Sequence, residues 1–591
     1  MNYLWNQMYQ SRQPENAAYL QPARARPWRK DWQIARFTIT LVLFFFFATE
    51  IMAQTVTVYQ TTGSGGDKLK RKSSLRFGNQ TSGGVILNLN GGMRYQTMTG
   101  FGAAMTGSSA YLFNQEMNST QRNNVMNALF SNSGIRLSFV RHSIGASDFS
   151  LSDYTYHDPG NSFSINVDKA DVIPMLKLAK QKRSNLRIMG TPWTAPAWMK
   201  DNFSMKQGKL KDDHLDDYAL YLVRYLKAFK NEGLPIYAIT MQNEPLHTTP
   251  NYPSMKMEWY QQSNLLRYHL GPLMAQENVD DTKVLLYDHN WDVTSYATNI
   301  LAIPQTAQYV AGTAFHGYAP NPPKPEAQTT VYNFNQSKGI WFTEQSGGDW
   351  APDFSGNLEW YSRHLIVGSI RNWSKSLLLW NLALDTNNGP QNGGCNNCRG
   401  VVTVKNDGGF TKEVEYYVLG HLSKFVDPGA KRVEINQRSG IYTVAFRNGN
   451  GSFVVVAYNG NSSNKFVKVR HSGKQFGYRI PSKSLVTFKW SPSNGREDLA
   501  EEDTAEELNE EAASQFVYPN PVENVFNVDL TQFGIETGRF LLVDLKGQVV
   551  YEHFLHQQVT QIDLASSFSP GIYFAYIEDE NVHKKMKVIL K

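Results

Sequence analysis

Between residues 100 and 427, short apolar runs alternate with longer segments of helical period, eight times over. The runs are 100–105, 137–143, 187–193, 236–241, 284–289, 309–316, 339–344 and 376–382. Each is mostly apolar rather than alternating, as a parallel strand covered on both faces requires. The segments between them read as amphipathic helices. Over 212–232, for example, Leu215, Tyr218, Ala219, Leu222, Tyr225, Leu226 and Phe229 form one stripe, and Gly233 is the stop. Eight strand–helix units are the number that closes a (β/α)8 barrel, so an α/β fold is expected.

Two flanks follow a different rhythm. Residues 440–490 alternate with period two between Asn-Gly and Ser-Gly turns, and residues 55–90 add shorter strand-like pieces. Because these flanks bracket the barrel, they are expected to meet in one side β-sandwich. After an acidic stretch, β alternation resumes over 516–591, which predicts a small separate all-β domain. The expected organisation is a signal peptide (1–53), first sandwich strands (54–98), barrel (99–430), remaining sandwich (431–490), linker (491–515) and C-terminal domain (516–591).

Charge and composition refine this picture. Residues 1–36 hold six Lys/Arg against two acids, and an apolar stretch follows at 37–49. That is the layout of a secretory signal, too short for the roughly 20 residues of a spanning helix; an N-terminal anchor is the alternative. Residues 497–511 carry nine Asp/Glu and no Lys or Arg, as a solvated linker does. No basic run is interleaved with aromatics, so no nucleic-acid partner is expected. The two cysteines, Cys395 and Cys398, are spaced C-x-x-C. In an exported chain a disulfide is expected; zinc would need two further ligands, and a redox motif would need to open a helix of a βαβ unit.

Cleaving a glycosidic bond with retention needs two carboxyl groups about 5–5.5 Å apart. In an eightfold barrel such groups stand where strands end on the C-terminal face. Glu244 follows the fourth run in TMQNEP (240–245), and Glu344 closes the seventh in WFTEQSGG (341–348). Either alone could be an ordinary loop carboxylate. As a pair they predict a glycosidase, with Asn243 able to reach a sugar 2-hydroxyl.

GFGAAMTGSSA (100–110), RHSIGASDFS (141–150), Tyr-Thr-Tyr (154–156), GTPWTAPAWMK (190–200), TMQNEP, AFHGYAP (314–320), WFTEQSGG and LWNLAL (379–384) occur in that order. Over about residues 55–490 the chain thereby resembles glycoside hydrolase family 30, the family of lysosomal glucosylceramidase and fungal β-1,6-glucanases. The resemblance implies double displacement without metal or cofactor, with Glu244 as acid/base and Glu344 as nucleophile. It implies that Arg141 hydrogen-bonds the nucleophile, that Trp193, Tyr318 and Trp380 wall the sugar subsite, and that His316 borders the acid/base. Asp148 is read as structural.

One departure bears on substrate. Where the glucosylceramidase branch has an acidic residue after G-x-A-M-T, this chain has Gly107. The expectation is therefore a cleft open to β-1,6-glucan, with the Cys395–Cys398 loop as part of its wall. The alternatives are glucosylceramide hydrolysis, β-xylanase or β-fucosidase activity, and a non-catalytic surface carbohydrate-binding protein. Residues 516–591 resemble the sorting domain of the type IX secretion system, through YPNP (518–521), the turn at 544–547 and GIY (571–573). The implied partners are a carbohydrate or glycolipid substrate and that secretion machinery. The implied location is secreted or cell-surface, with no stable membrane span.

Overall fold

The computed structural model describes residues 54–590 apart from 79–82, 159–161, 492–515, 532–536, 545–547, 565–567 and 579–582. The expected signal peptide and all of the linker except Ser491 lie outside the described residues.

Eight parallel strands form the barrel: Gly100–Ala104, Phe139–Ile144, Arg187–Pro192, Ala238–Thr240, Lys283–Asn290, Val310–His316, Gly339–Glu344 and Ser376–Asn381. They are called barrel strands one to eight below. Neighbours follow chain order, strand eight returns to strand one, and a parallel bridge between Ile340 and Ser374 closes the ring. Both faces are apolar for a physical reason. Phe139, Met189, Ala238, Leu285, Ala314, Trp341 and Leu378 fill the interior as one cluster. Alternate residues pack outwards against the helices in a second, larger cluster. Gly312 makes room for the interior indole, since a Cβ there would lie 2.5 Å from Trp341 Cζ3. The helix Leu215–Asn231 buries all seven residues of the expected stripe.

The flanks form one nine-stranded sheet. Thr55–Thr62 pairs with Ser484–Trp490, and Val85–Thr97 lies between Lys431–Ile435 and Lys465–His471. The sheet curls until its two ends meet at a bridge between Gly78 and Gln475, enclosing a core that includes Val58, Leu87, Val455, Phe476 and Trp490. The C-terminal segment has a three-stranded and a four-stranded sheet around a separate core of Phe526, Phe540, Ile562 and Val588. Among the described residues, no helix is long and apolar enough to cross a membrane.

Candidate active site

Three barrel strands slip register at their C-terminal ends. The ladder skips Asp288 in strand five, Thr343 in strand seven and Trp380 in strand eight. Bulges at a barrel rim re-aim side chains, and here each one turns a polar or aromatic group towards the mouth. Backbone strain adds to this. Glu244 and Asp288 both sit in the left-handed region, at φ 43° and 63°. Such a residue costs on the order of 1–3 kcal/mol and persists only where its surroundings over-determine it. The Glu244 amide donates to Asp288 O at 3.0 Å, which ties the two strained positions together.

Around them the side chains form one network. Carboxylate oxygens of Glu244 and Glu344 and a ring nitrogen of His316 all lie within 4.8 Å of one another. The Arg141 guanidinium donates to Glu344 Oε2, to Asn243 Oδ1 at 2.7 Å and to Asp288 Oδ2 at 2.9 Å. The Tyr318 hydroxyl donates to Glu344 Oε1 at 3.0 Å. His316 bridges the acids, with Nδ1 3.1 Å from Glu244 Oε1 and Nε2 3.0 Å from Asp288 Oδ1. Asp288 also accepts from Thr240 and Thr343, at 2.8 and 2.7 Å.

Electrostatics follow from this wiring. Burial alone would raise the Asp288 carboxyl, but Arg141 and His316 hold it far below the usual range. Burial would lower His316, yet Glu344 and Asp288 push it up to about 9. Glu344 is raised by burial, against the pull of His316 and Arg141. Burial raises Glu244 too, but His316 more than offsets that and brings it to about 2. In the resting site, therefore, the mobile proton sits on His316, one hydrogen bond from Glu244. A cation held by Glu244, His316 and Glu344 would need the lone pair that this proton occupies. The donor set suits proton relay better than metal binding.

Asp288 is the hub. Asp288→Ala leaves a buried guanidinium and imidazolium without their counter-charge, so a loss of about 3–5 kcal/mol is expected. Thermal denaturation against wild type measures it, and an unchanged Tm would contradict the hub role.

The walls differ in detail from the sequence expectation. Trp193 and Trp380 stack on each other, with centroids 5.0 Å apart, above the Arg141 guanidinium. Each is only 3% exposed, so they offer edges rather than open faces. Tyr318 is 40% exposed and meets the site through its hydroxyl.

Three residues that the sequence reading passed over or discounted also belong to the site. Asp148 is half-buried and is pushed up to about 8, by desolvation and then by Glu344; its Oδ1 is buried and has no partner among the described residues. At neutral pH it is largely protonated and can both donate to and accept from a hydroxyl. Tyr252, raised by burial and then by Asp148, and His289, lowered by burial, complete the rim.

Gly107 opens the helix Gly107–Asn114, where a Cβ would rest 3.4 Å from Ser150 Cα, and the next loop brings a carboxyl group of its own, Asp148, into the site.

Cys395 and Cys398 form a disulfide, and both sulfurs pack in one cluster with Trp193, Trp380, Phe149 and Tyr252. The Asn392 amide donates to Asp148 O at 2.7 Å. This loop therefore borders the site.

Comparison with known proteins agrees with this geometry. Residues 98–426 match the glycosyl hydrolase family 30 TIM-barrel domain and 429–488 the family's beta sandwich domain. Residues 516–591 match a secretion system C-terminal sorting domain, which directs the chain to a secretion system for export. Endo-1,6-beta-D-glucanase neg1 of Aspergillus fumigatus is 33% identical over 437 residues, covering 66% of this chain and 85% of that one. Lysosomal acid glucosylceramidase of Mus musculus is 29% identical, over 70% of this chain and 84% of that one. A solved endo-beta1,6-glucanase superposes with a TM-score of 0.70 at 34% identity, covering 74% of this chain and 99% of its own. With a barrel and a sandwich that both match, and relatives a third identical over most of their length, the chain belongs to glycosyl hydrolase family 30 and is a retaining glycoside hydrolase.

Proposed function

We propose that the chain is an exported β-1,6-glucanase acting by double displacement, with Glu344 as nucleophile and Glu244 as acid/base. The observation that carries the mechanism is the closeness of the two carboxylates, within 4.8 Å. Inverting enzymes hold theirs about 6.5–9.5 Å apart to admit a water. In the first step a Glu344 oxygen bonds to the anomeric carbon as the glycosidic C–O bond breaks. The leaving oxygen takes the proton that Glu244 receives from His316. In the second step a water attacks the anomeric carbon, its proton passes to Glu244, and the ester to Glu344 breaks.

The roles of the surrounding residues follow from their contacts. Arg141 and Tyr318 hold Glu344 and stabilise its charge, while Asn243 is held by Arg141 beside the acid/base, where it can bond the sugar 2-hydroxyl. Trp193 and Trp380 floor the pocket, and Asp148 offers its unsatisfied oxygen to another sugar hydroxyl.

The linkage rests on kinship. Relatives named endo-1,6-beta-D-glucanases are 31–33% identical, and those named glucosylceramidases 26–29%. Initial rates on pustulan-type β-1,6-glucan, detergent-dispersed glucosylceramide, xylan and an aryl β-glucoside test the reading. The glucan is expected to be the best natural substrate. Efficient glucosylceramide cleavage with none of the polysaccharide would refute it, and no turnover of any of these would favour a binding protein. The sorting domain supports export by the type IX route, with a mature chain running from near Gln54 to before about residue 515.

A further inference from the structure

Trp350 lies in the loop after barrel strand seven, six positions beyond Glu344, and is 54% exposed. No ring, cation or hydrogen-bond partner of its indole occurs among the described residues. A single exposed apolar side chain needs no explanation when it hangs from a flexible loop. Trp350 does not hang freely. Its benzo ring passes over Gly348 so closely that a Cβ there would lie 2.0 Å from Cζ3 and 2.4 Å from Cε3, so only glycine permits this seat.

The seat itself is braced. Gly347–Gly348 pairs antiparallel with Cys398–Arg399, next to the Cys395–Cys398 disulfide. The Asp349 amide donates to Asn397 O at 2.8 Å, and the Asn388 side chain donates to Asp349 Oδ2 at 2.7 Å. Beneath the pair, the Arg399 guanidinium meets the buried Glu415 carboxylate at 2.8 Å, and the Tyr361 hydroxyl donates to the same carboxylate at 2.9 Å. A Cβ on Gly347 would lie 2.1 Å from Glu415 Oε1, so a second glycine is needed for this bolt. On its other side, Cys398 packs with Trp193 and Trp380. One short strand thus joins the surroundings of the reacting centre to an indole that packs over Gly348 and is more than half exposed.

From this we propose that Trp350 is a platform for a glucosyl unit of the polysaccharide beyond the reacting sugar, and that the disulfide-closed loop is its mount. The proposal rests on the β-glucan reading above. Exposing a tryptophan on a rigid seat forgoes the burial of a large apolar surface and spends two glycines and a buried ion pair on holding it there. The side chain has an apolar face and a polar edge, which suits a pyranose ring. Chain length limits Trp350 to within about 20 Å of Glu344, the range of a neighbouring unit of a bound glucan. Preorganisation of this kind lowers the ordering cost of binding.

The test compares the full-length enzyme with Trp350→Ala and Trp350→Phe on β-1,6-glucan and on an aryl β-glucoside, which has no second sugar. Trp350→Ala is expected to lose about tenfold in kcat/KM on the polymer, chiefly as a higher KM, the size of one stacking contact. The polymer loss should exceed the aryl-glucoside loss severalfold, and Trp350→Phe should recover most of it. Equal losses on both substrates, or no loss on the polymer, would overturn the platform. Reducing the disulfide with a phosphine should lower wild-type activity on the polymer more than on the aryl β-glucoside, and that excess should vanish in Trp350→Ala; an equal excess in both proteins, or none in wild type, would overturn the mount. A wild-type enzyme that does not cleave β-1,6-glucan would count against the linkage reading alone, and the same comparison would then be made on the polysaccharide it does cleave.

Discussion

Replacing Glu344 by Gln is expected to abolish turnover by a factor on the order of 10⁴ or more while leaving the fold intact. The amide keeps the shape of the side chain and one carbonyl oxygen for Arg141, while its NH2 faces the Tyr318 hydroxyl, whose oxygen can accept from it. It cannot form the ester through which double displacement passes. The neutral amide also removes the charge that helps hold the proton on His316, so the whole network shifts with it. A 2-fluoro glycoside, which slows breakdown of the intermediate, should label wild type at Glu344. Mass spectrometry of the labelled peptide locates the bond. A label on Glu244, Asp148 or Asp288 would refute the assignment, because all three carboxyls lie in the same mouth.

How much of this could be read from the chain depends on which physical signal each residue leaves. The eight barrel strands were legible because burial on both faces writes itself as near-continuous apolar runs, and every expected run contains or overlaps an observed strand. Glu244 and Glu344 stand out as acids ending such runs. The same signal was present at Asp288, where VLLYD ends in an acid, but its φ of 63° and its role as hub depend on contacts with strands two, four, six and seven. No local pattern encodes those. Bulges at Asp288, Thr343 and Trp380 are equally silent in sequence, since one slipped residue leaves the apolar composition unchanged.

Gly107 was legible as a departure in one motif, whereas the entry of Asp148 into the site was not, because the path of its loop is set by the fold rather than by local sequence. The flanking strands were foreseen as a single body. That Val85–Thr97 would insert between two strands of the distant second flank was not, because pairing across that distance is set by tertiary packing.

The second large effect separates Glu244 from Glu344 by leaving group and by pH. Glu244→Ala removes the proton donor, so substrates with poor leaving groups should fall by about 10³-fold, within the usual range for general acid catalysis. Activated aryl glycosides depart without a proton and should fall far less in their first step. Azide, small enough to occupy the space left by the carboxylate, should then speed breakdown of the intermediate and yield a β-glycosyl azide. The pH profile gives an independent reading. Wild-type kcat/KM requires Glu344 ionised, so it should decline as pH drops through a value above the ordinary 4.5 of a glutamate, since Glu344 is raised. It also requires the proton that His316 lends to Glu244 across 3.1 Å, so it should decline again as pH rises through about 9. Glu244→Ala cannot use that proton. With an activated aryl glycoside its alkaline limb should therefore flatten, while the acid limb set by Glu344 remains. An alkaline limb that survives the substitution unchanged, together with no azide rescue, would place the acid/base on another residue.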